Sequence, residues 1–405
     1  MTWKTSKLGE VCEIIKRGIG PKYLEVGGVC VVNQKCIRDH IINYQLARRH
    51  DNEAKKVSEE RYIKIGDVLV NSTGTGTLGR VAQVRAAPLE LTTVDTHVTI
   101  VRPKEGVFYD DFFGYMLIKI EEAMTAAGEG ASGQTELARS TLENEFFVSY
   151  PESISEQKHI VTILDQAFAD IEQARAKTEQ NLKNARELLE SYLQQVFTAG
   201  INEGKVSRLE DLCTFSSGST PSKKNDLYWG GNIPWMSGRD MKSTQLFNSF
   251  LHISQLAIDE STTRIAPKGT ILILVRGMGL AHGAQVSELM VPSAFNQDIK
   301  GITPNSNIVS RYLVFALRHR INFGDNILSS AAHGTLKINM DELKNVVIPV
   351  PLKAQQEHLV SQFDILIEKI NCLESIYQRK LANLNELKKS ILQKAFTGKL
   401  NKSST

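Results

Sequence analysis

The longest uninterrupted pattern along the chain is helical. From Ser155 to Thr198 there is no Pro or Gly, and apolar residues recur every three or four positions: Ile160, Ile163, Ala167, Ile171, then Leu182, Ala185, Leu189, Tyr192 and Val196. A second stretch, Ala354 to Thr397, repeats the pattern with Phe363, Ile367, Ile370, Leu373, Tyr377, Leu381, Leu384, Leu387 and Ile391. This period gathers the apolar side chains on one helical face and leaves the charged ones outside. An S-x-x-E capping box, Ser153 and Glu156, marks the first start, and Gly200 and Gly398 read as C-terminal stops. At 1.5 Å per residue each helix would run roughly 65 Å, too long to fold against one small domain, so the apolar seams predict a coiled coil. The economical arrangement pairs the two helices with each other, antiparallel, about a pseudo-two-fold axis, as a rod holding two globular parts apart.

Elsewhere the hydrophobic period shortens to two. "KIGDVLV" (64–70), the run around Val81 and Val84, and an alternating run from near Val98 read as strands, with Pro88 as a break between them. These segments belong to a unit that occurs twice, at a spacing of about 200 residues. "KLGEVC" (7–12) answers "RLEDLC" (208–213), and Arg38-Asp39 answers Arg239-Asp240. "GDVLVNSTGTGTLG" is echoed by "GTILILVRGMGLAHG" (269–283), "LENEFFVSYPESISEQKHI" by "LKNVVIPVPLKAQQEHL", and "QQVFTAGI" by "QKAFTGKL". Each copy is a mixed globular part, a Pro-punctuated crossover and a long helix. The expected fold is therefore α+β: two similar mixed α/β domains, 1–154 and 201–353, with helices at 155–200 and 354–405, the latter including a C-terminal tail, forming an antiparallel two-helix coiled coil between them.

Composition narrows the possibilities. A chain of 405 residues makes two or three domains, since single cores rarely grow past about 250 to 300 residues. The net charge of +3 is nearly neutral, so any site for a polyanion must be local. Cys12, Cys30, Cys36, Cys213 and Cys372 form no C-x-x-C pair or zinc spacing, and without a signal peptide they read as reduced thiols of a cytoplasmic protein. No apolar run approaches the roughly twenty residues of a membrane span.

The segment "NSTGTGTLGR" (71–80) holds G-x-G-x-x-G at Gly74, Gly76 and Gly79. A dinucleotide cradle requires a helix starting on the last glycine, whose N-terminal N–H groups meet a pyrophosphate. The residues after Gly79 read as strand, so Asp95, near where a ribose-binding acid would stand, has nothing to present it. The second copy of the loop also carries a different glycine spacing. No cofactor is expected. There is no G-x-x-x-x-G-K-[ST] loop, no H-E-x-x-H, no G-x-S-x-G elbow and no Asn-Pro-Pro-aromatic element for gripping a flipped base. His97, His282 and His333 lack partner spacing and read as ordinary histidines.

At "GSTPSKKNDLYWGGNIPWMSGRDM" (218–241), "FNQD" (295–298), "HGTLKINMDELKNVVIPVPLKAQQEHLV" (333–360) and the terminal "QKAFTGKL" the chain resembles the specificity subunits of Type I restriction-modification systems. The likeness extends over essentially the whole chain; the first half lacks the Trp-Gly-Gly block. It implies two target recognition domains, each reading one half of a bipartite double-stranded DNA sequence, with the paired helices setting the unspecified spacer. It further implies partners: two modification subunits that methylate adenine from S-adenosylmethionine, and ATP-dependent restriction subunits, the specificity subunit itself being non-catalytic. A rival reading is a regulatory or scaffolding DNA-binding coiled-coil protein with no methyltransferase partner; another is an enzyme using the Gly74 loop for a nucleotide.

Base edges are read by Arg, Lys, Asn, Gln, Ser and Thr, and phosphates are held by basic side chains and backbone N–H groups. In the second domain "SSGSTPSKKN" reads as a flexible loop bringing Lys223 and Lys224 to phosphates, followed by Ser237, Arg239 and Lys242, with Arg276 in "LVRGMG". Trp229 and Trp235 read as core anchors rather than base stackers. In the first domain the candidates are Lys35, Arg38, Asn71, Ser72, Thr73, Thr75 and Arg80, with Arg48 and Arg49 beside them. The glycine loop stays open to two readings: a close backbone approach to the DNA groove or its phosphates, or a hairpin connection with no ligand.

Overall fold

In the computed structural model, which describes residues 3–128, 136–202, 206–277, 280, 283–323, 327–330 and 336–398, contacts divide the chain into two units. Unit 1 comprises 1–178 with 379–405; unit 2 comprises 179–378. Unit 1 runs β1 (Trp3–Lys7), α1 (Leu8–Val11), β2 (Cys12–Arg17), β3 (Tyr23–Leu24), β4 (Val29–Val32), β5 (Ile37–Arg38), β6 (Ile41–Ile42), β7 (Arg48–His50), β8 (Val68–Asn71), β9 (Val81–Gln83), β10 (Thr92–Val94) and β11 (Val98–Pro103). Then come α2 (Asp110–Lys119), α3 (Glu121–Ala126), α4 (Arg139–Asn144), β12 (Phe147–Pro151) and the first part of α5 (Ile154–Asn202). Unit 2 holds the rest of α5, then β13 (Val206–Arg208), α6 (Leu209–Leu212), β14 (Cys213–Ser217), β15 (Trp229–Met236), β16 (Gln245–Leu246), β17 (Leu251–Ile253), α7 (Gln255–Glu260), β18 (Ile271–Leu274), β19 (Val286–Leu289), β20 (Ala294–Phe295) and β21 (Ile299–Pro304). It ends with α8 (Ser310–Phe323), β22 (Leu328–Ser330), β23 (Leu336–Ile338), α9 (Met340–Lys344), β24 (Val347–Pro349) and α10 (Lys353–Ala395), whose last part returns to unit 1.

The repeat seen in the sequence is a repeat of topology. In unit 1, β1 pairs antiparallel with β12, and the central sheet has the order β2-β11-β8-β9. In unit 2, β13 pairs antiparallel with β24, and the central order is β14-β21-β18-β19, with β16 added at the edge. A second sheet in each unit holds one parallel pair, β4 with β10 and β15 with β20. The four-residue strands β4, β8 and β18 are buried throughout, which is why their sequences are apolar runs rather than alternations. Phe112, Phe113, Met116 and Leu117 of α2 fill the unit 1 core; Tyr312, Leu313, Phe315 and Leu317 of α8 fill that of unit 2.

The long helices pack within each unit. In unit 1, Glu172 of α5 meets Lys388 of α10 at 3.0 Å, and Phe396 packs on Phe112 with ring centroids 5.0 Å apart. In unit 2, Arg186 meets Glu374 at 2.7 Å and the Tyr192 hydroxyl donates to Gln362 at 3.0 Å, so α5 ascends as α10 descends, antiparallel as expected. The buried face is wider than the predicted seam: Ile160, Ile171 and Ala185 of α5 and Phe363 and Ile370 of α10 are buried as expected, Val161, Leu164, Phe168, Leu193 and Phe197 join them, and Leu373 and Leu387 of α10 are exposed. A helix that must face both a sheet domain and a partner helix widens its apolar face beyond a strict seam.

Ser153 caps the helix, its Oγ accepting the Glu156 N–H at 3.4 Å, and Gly398 has the left-handed φ of +70° expected of a stop. Gly200 is different. It lies inside α5, which continues to Asn202, and its small size serves packing: a Cβ there would come 3.0 Å from Cβ of Pro349. Among the described residues all five cysteines are free thiols, and no helix is long and apolar enough to cross a membrane.

Candidate nucleic-acid interface

The glycine loop of unit 1 is the connection between antiparallel strands β8 and β9. No helix starts on Gly79; the chain enters β9 two residues later. Gly74, Gly76 and Gly79 all have left-handed φ, at +109°, +74° and +81°. Two of them are needed for internal packing. A Cβ at Gly79 would collide with Thr125 of α3, and one at Gly74 with Gln34 and Thr77, whereas Gly76 faces open space. Asp95 is 3% exposed, and its carboxylate accepts the His97 N–H at 2.9 Å, so it closes a turn rather than awaiting a ribose; burial raises its carboxyl pKa.

Around this hairpin the structure sorts the unit 1 candidates into scaffold and surface. Asn71 is fully buried, its Nδ2 donating to the Gln34 carbonyl at 3.1 Å, and Ser72 is fully buried with its hydroxyl 2.5 Å from that of Thr99. Both hold the loop and present no side chain to solvent. Lys35, on the short turn beginning at Gln34, and Thr75 at the loop tip are exposed. Thr73 shares a 2.6 Å hydrogen bond with His97 Nδ1, and Arg80 is drawn over the loop by a 2.7 Å bond to the Gly76 carbonyl. Arg38 precedes a two-residue hairpin turn between β5 and β6 whose Asp39 and His40 both have positive φ, and its guanidinium is exposed. Arg48 lies over the Tyr23 ring at 3.4 Å, and Arg49 pairs with Glu90 at 2.5 Å, so both are engaged locally.

In unit 2, Asp240 organises the surface. Its carboxylate accepts the Ser237 N–H and hydroxyl at 2.8 Å each and the Phe250 N–H at 2.8 Å, which commits Ser237 to the turn. Arg239 and Lys242 project from that turn, and the Arg239 guanidinium sits 4.7 Å from the Phe250 ring centre. Phe247 and Phe250 are 64% and 69% exposed. Sequence reasoning names neither; in the structure Asp240 holds the Phe250 N–H, and the Ser249 hydroxyl accepts the Trp235 N–H and donates to the Leu251 carbonyl. The stretch expected as a flexible loop begins as strand β14 and then turns, leaving Lys223 and Lys224 exposed. Trp235 is buried and its indole donates to the Ser219 carbonyl at 3.0 Å; Trp229 packs edge-on against it at 5.2 Å and donates to Ser222. Both anchor the small cluster under β15. Arg276 is exposed just past β18, whereas His282 and His333 lie outside the described residues.

The exposed candidates therefore lie on turns that leave the sheets of each unit, carrying Lys, Arg and Thr in unit 1 and Lys and Arg in unit 2. Such turns offer donors for phosphates and for base edges.

Comparison with known proteins agrees with this construction. The family model described as "Type I restriction modification DNA specificity domain" matches twice, over residues 1–181 and 202–380. The specificity subunit of the EcoR124I/EcoR124II Type I restriction enzyme of Escherichia coli is 29% identical over 225 residues, 54% of this chain and 54% of the relative. That of the MjaIX Type I restriction enzyme of Methanocaldococcus jannaschii is 31% identical over 170 residues, 40% of this chain and 38% of the relative. The chain thus spans about half the length, or less, of these curated relatives. A chain solved in a study of complex assembly and conformational transition of the type I R-M system superposes with a TM-score of 0.78 over 98% of both chains at 19% identity. The HsdS subunit from Thermoanaerobacter tengcongensis superposes with a TM-score of 0.60 at 18% identity, over 98% of this chain and 97% of that one. These two likenesses concern the fold. With the family model covering most of its length in two tandem matches, the chain belongs to the Type I restriction modification DNA specificity domain family.

Proposed function

We propose that the chain is the DNA-recognition subunit of a Type I restriction-modification complex and performs no chemistry itself. Unit 1 and unit 2 each read one half of a bipartite target in double-stranded DNA, through recognition domains at 1–154 and 201–353. The paired helices, 155–200 and 354–405, set the spacer and dock two modification subunits that methylate adenine, with ATP-dependent restriction subunits completing the assembly. The complex works in the cytoplasm, where unpaired thiols such as those here persist. Lys35, Arg38, Thr75, Arg80, Lys223, Lys224, Arg239, Lys242 and Arg276 supply DNA contacts, while Asn71, Ser72 and Ser237 fix the turns that carry them.

The observation behind this reading is the duplication: one chain holds two domains of the same topology whose buried frames match and whose exposed turns differ. Two similar readers suit a ligand that presents two separate patches of one kind, as duplex DNA does. The test is to express the chain with its modification subunit in cells lacking other methylases and to sequence the methylome. A bipartite adenine-methylated motif with a fixed gap is expected. A stable complex that methylates a continuous motif, or none, contradicts the reading.

A further inference from the structure

The two units carry one backbone frame where the central sheet meets the second sheet. The N–H groups of Gly18 and Gly218 donate to the carbonyls of Val98 and Ile299 at 3.0 and 3.4 Å, and those of Ile19 and Ser219 to Val94 and Phe295 at 2.9 Å. Asp95 and Asn296 donate their backbone N–H groups to Val32 and Met236 at 3.0 Å. Their side chains accept the N–H groups of His97 and Asp298 at 2.9 and 3.2 Å. Ser72 and Val275 donate back to the carbonyls of these last two residues, both at 2.8 Å, and accept from Leu137 and Ile338 at 2.8 and 3.0 Å. A Cβ at Gly18 would collide with the Val94 carbonyl and one at Gly218 with the Asn296 carbonyl, so glycine is required at the same place in both copies.

On this shared frame, three matched positions reach solvent. Thr73 answers Arg276, each the first residue past the matched donor Ser72 or Val275 and each in an antiparallel bridge, to Glu136 and Lys337 respectively. Thr96 answers Gln297, and His97 answers Asp298, because their neighbours make the matched bonds just described. The frame positions beneath are apolar and buried in both units: Val94 and Phe295, Val98 and Ile299, Leu137 and Ile338. The exposed positions are polar in both and differ in chemistry at every one. Thr73, Thr96 and His97 give hydroxyls and an imidazole; Arg276, Gln297 and Asp298 give a guanidinium fork, an amide and a carboxylate.

That is the side-chain vocabulary that distinguishes base pairs. Arg presents two donors to guanine, Gln a donor and an acceptor to adenine, and Asp an acceptor to the cytosine amine. A frame of backbone hydrogen bonds holds the main chain of these residues at fixed points, and the Thr73–His97 and Thr220–Gln297 side-chain hydrogen bonds orient two of the groups further, as recognition requires. Duplication that keeps the backbone bonds and changes the chemistry at every one of the three outward positions is what two readers of different half-sites need. Resting on the DNA-reading function proposed above, we infer that these three matched positions are base-reading side chains, and that their divergence sets the difference between the two half-sites.

The test uses the chain in complex with its modification subunits, after the methylated motif has been read from cells. Binding is measured at fixed salt on duplexes in which each base pair of each half-site is replaced in turn. Thr96→Ala and His97→Ala should each lose about 5- to 100-fold of discrimination at one or two base pairs of one half-site. Arg276→Ala and Gln297→Ala should do so in the other half-site only. The untouched half-site, read by the same molecule, reports that the complex is intact. Discrimination unchanged throughout, or affinity lowered equally for every duplex, overturns the inference and leaves the DNA-reading function standing. If the unsubstituted complex shows no bipartite preference, the function itself falls before any variant is measured.

Discussion

Gln157 and Gln356 make the same three hydrogen bonds in the two units. Gln157 Oε1 accepts the Tyr109 N–H at 2.8 Å, and its Nε2 donates to the carbonyls of Val107 and Pro151 at 3.1 and 2.9 Å. Gln356 accepts the Val309 N–H at 2.9 Å and donates to Asn307 and Pro351 at 3.0 and 2.9 Å. Both side chains are fully buried in the first turns of the long helices. Each thereby ties its long helix to the residue just before α2 or α8 and to the proline crossover. Gln157→Leu should strand one N–H and two carbonyls in the unit 1 interior, at a cost of about 2–4 kcal/mol. Hydrogen exchange should show the loss in unit 1, with unit 2 protection kept.

The glycine hairpin offers a second check, because it separates internal packing from ligand approach. Both Gly76 and Gly79 have positive φ, so alanine is strained at either. Only Gly79→Ala also meets Thr125. Gly79→Ala should therefore lower the melting temperature clearly more than Gly76→Ala. Equal effects would show that Gly79 is not packed as described.

His319 gives the protein a pH dependence of known sign. Its ring is 5% exposed, stacks on Phe197 at 5.5 Å, and neither nitrogen has a hydrogen-bond partner among the described residues. Burial, with Arg320 nearby, lowers its pKa below the ordinary value of 6.5. Well above pH 6.5 the ring is neutral in folded and unfolded chains and adds no pH dependence. As pH falls below that value the unfolded chain takes up a proton that the folded one refuses, so stability drops until the lowered folded pKa is passed. His319→Leu should remove this part of the loss, so that thermal melts at pH 7 and pH 5 differ less for the variant than for the parent.

Phosphate neutralisation leaves a different signature from base reading. Lys223 and Lys224 are both exposed on one turn. Replacing both by Ala should weaken binding of the complex equally for all DNA sequences. The slope of log affinity against log salt should shrink by about 0.9 for each phosphate that is no longer neutralised. A sequence-dependent loss would place them at base edges instead.

Much of the fold is legible in the sequence, for identifiable reasons. The long helices announce themselves because their period persists over many turns without Pro or Gly, and the repeat because buried strands such as "DVLV" and "TILIL" keep their apolar runs. The Gln pair stands within the repeat, "SEQKHI" facing "AQQEHL", although only the hydrogen bonds reveal its task. Gly200 misleads because a glycine that relieves contact with Pro349 looks, in sequence, the same as one that ends a helix. Asn71 and Ser72 suggest surface groups because polar residues beside glycines read as loop; they are buried because β8, from whose end they extend, lies between β11 and β9. His97 has no partner at sequence spacing, and its match to Asp298 exists only through backbone bonds between distant segments.

The most direct test of the account exchanges residues 1–150 for the corresponding part of a relative with a different target, in the chain expressed with its modification subunit, and reads the methylome. The account predicts that one half of the methylated motif changes while the other half is retained. Alteration of both halves together, or of neither, in a complex that still methylates would contradict it.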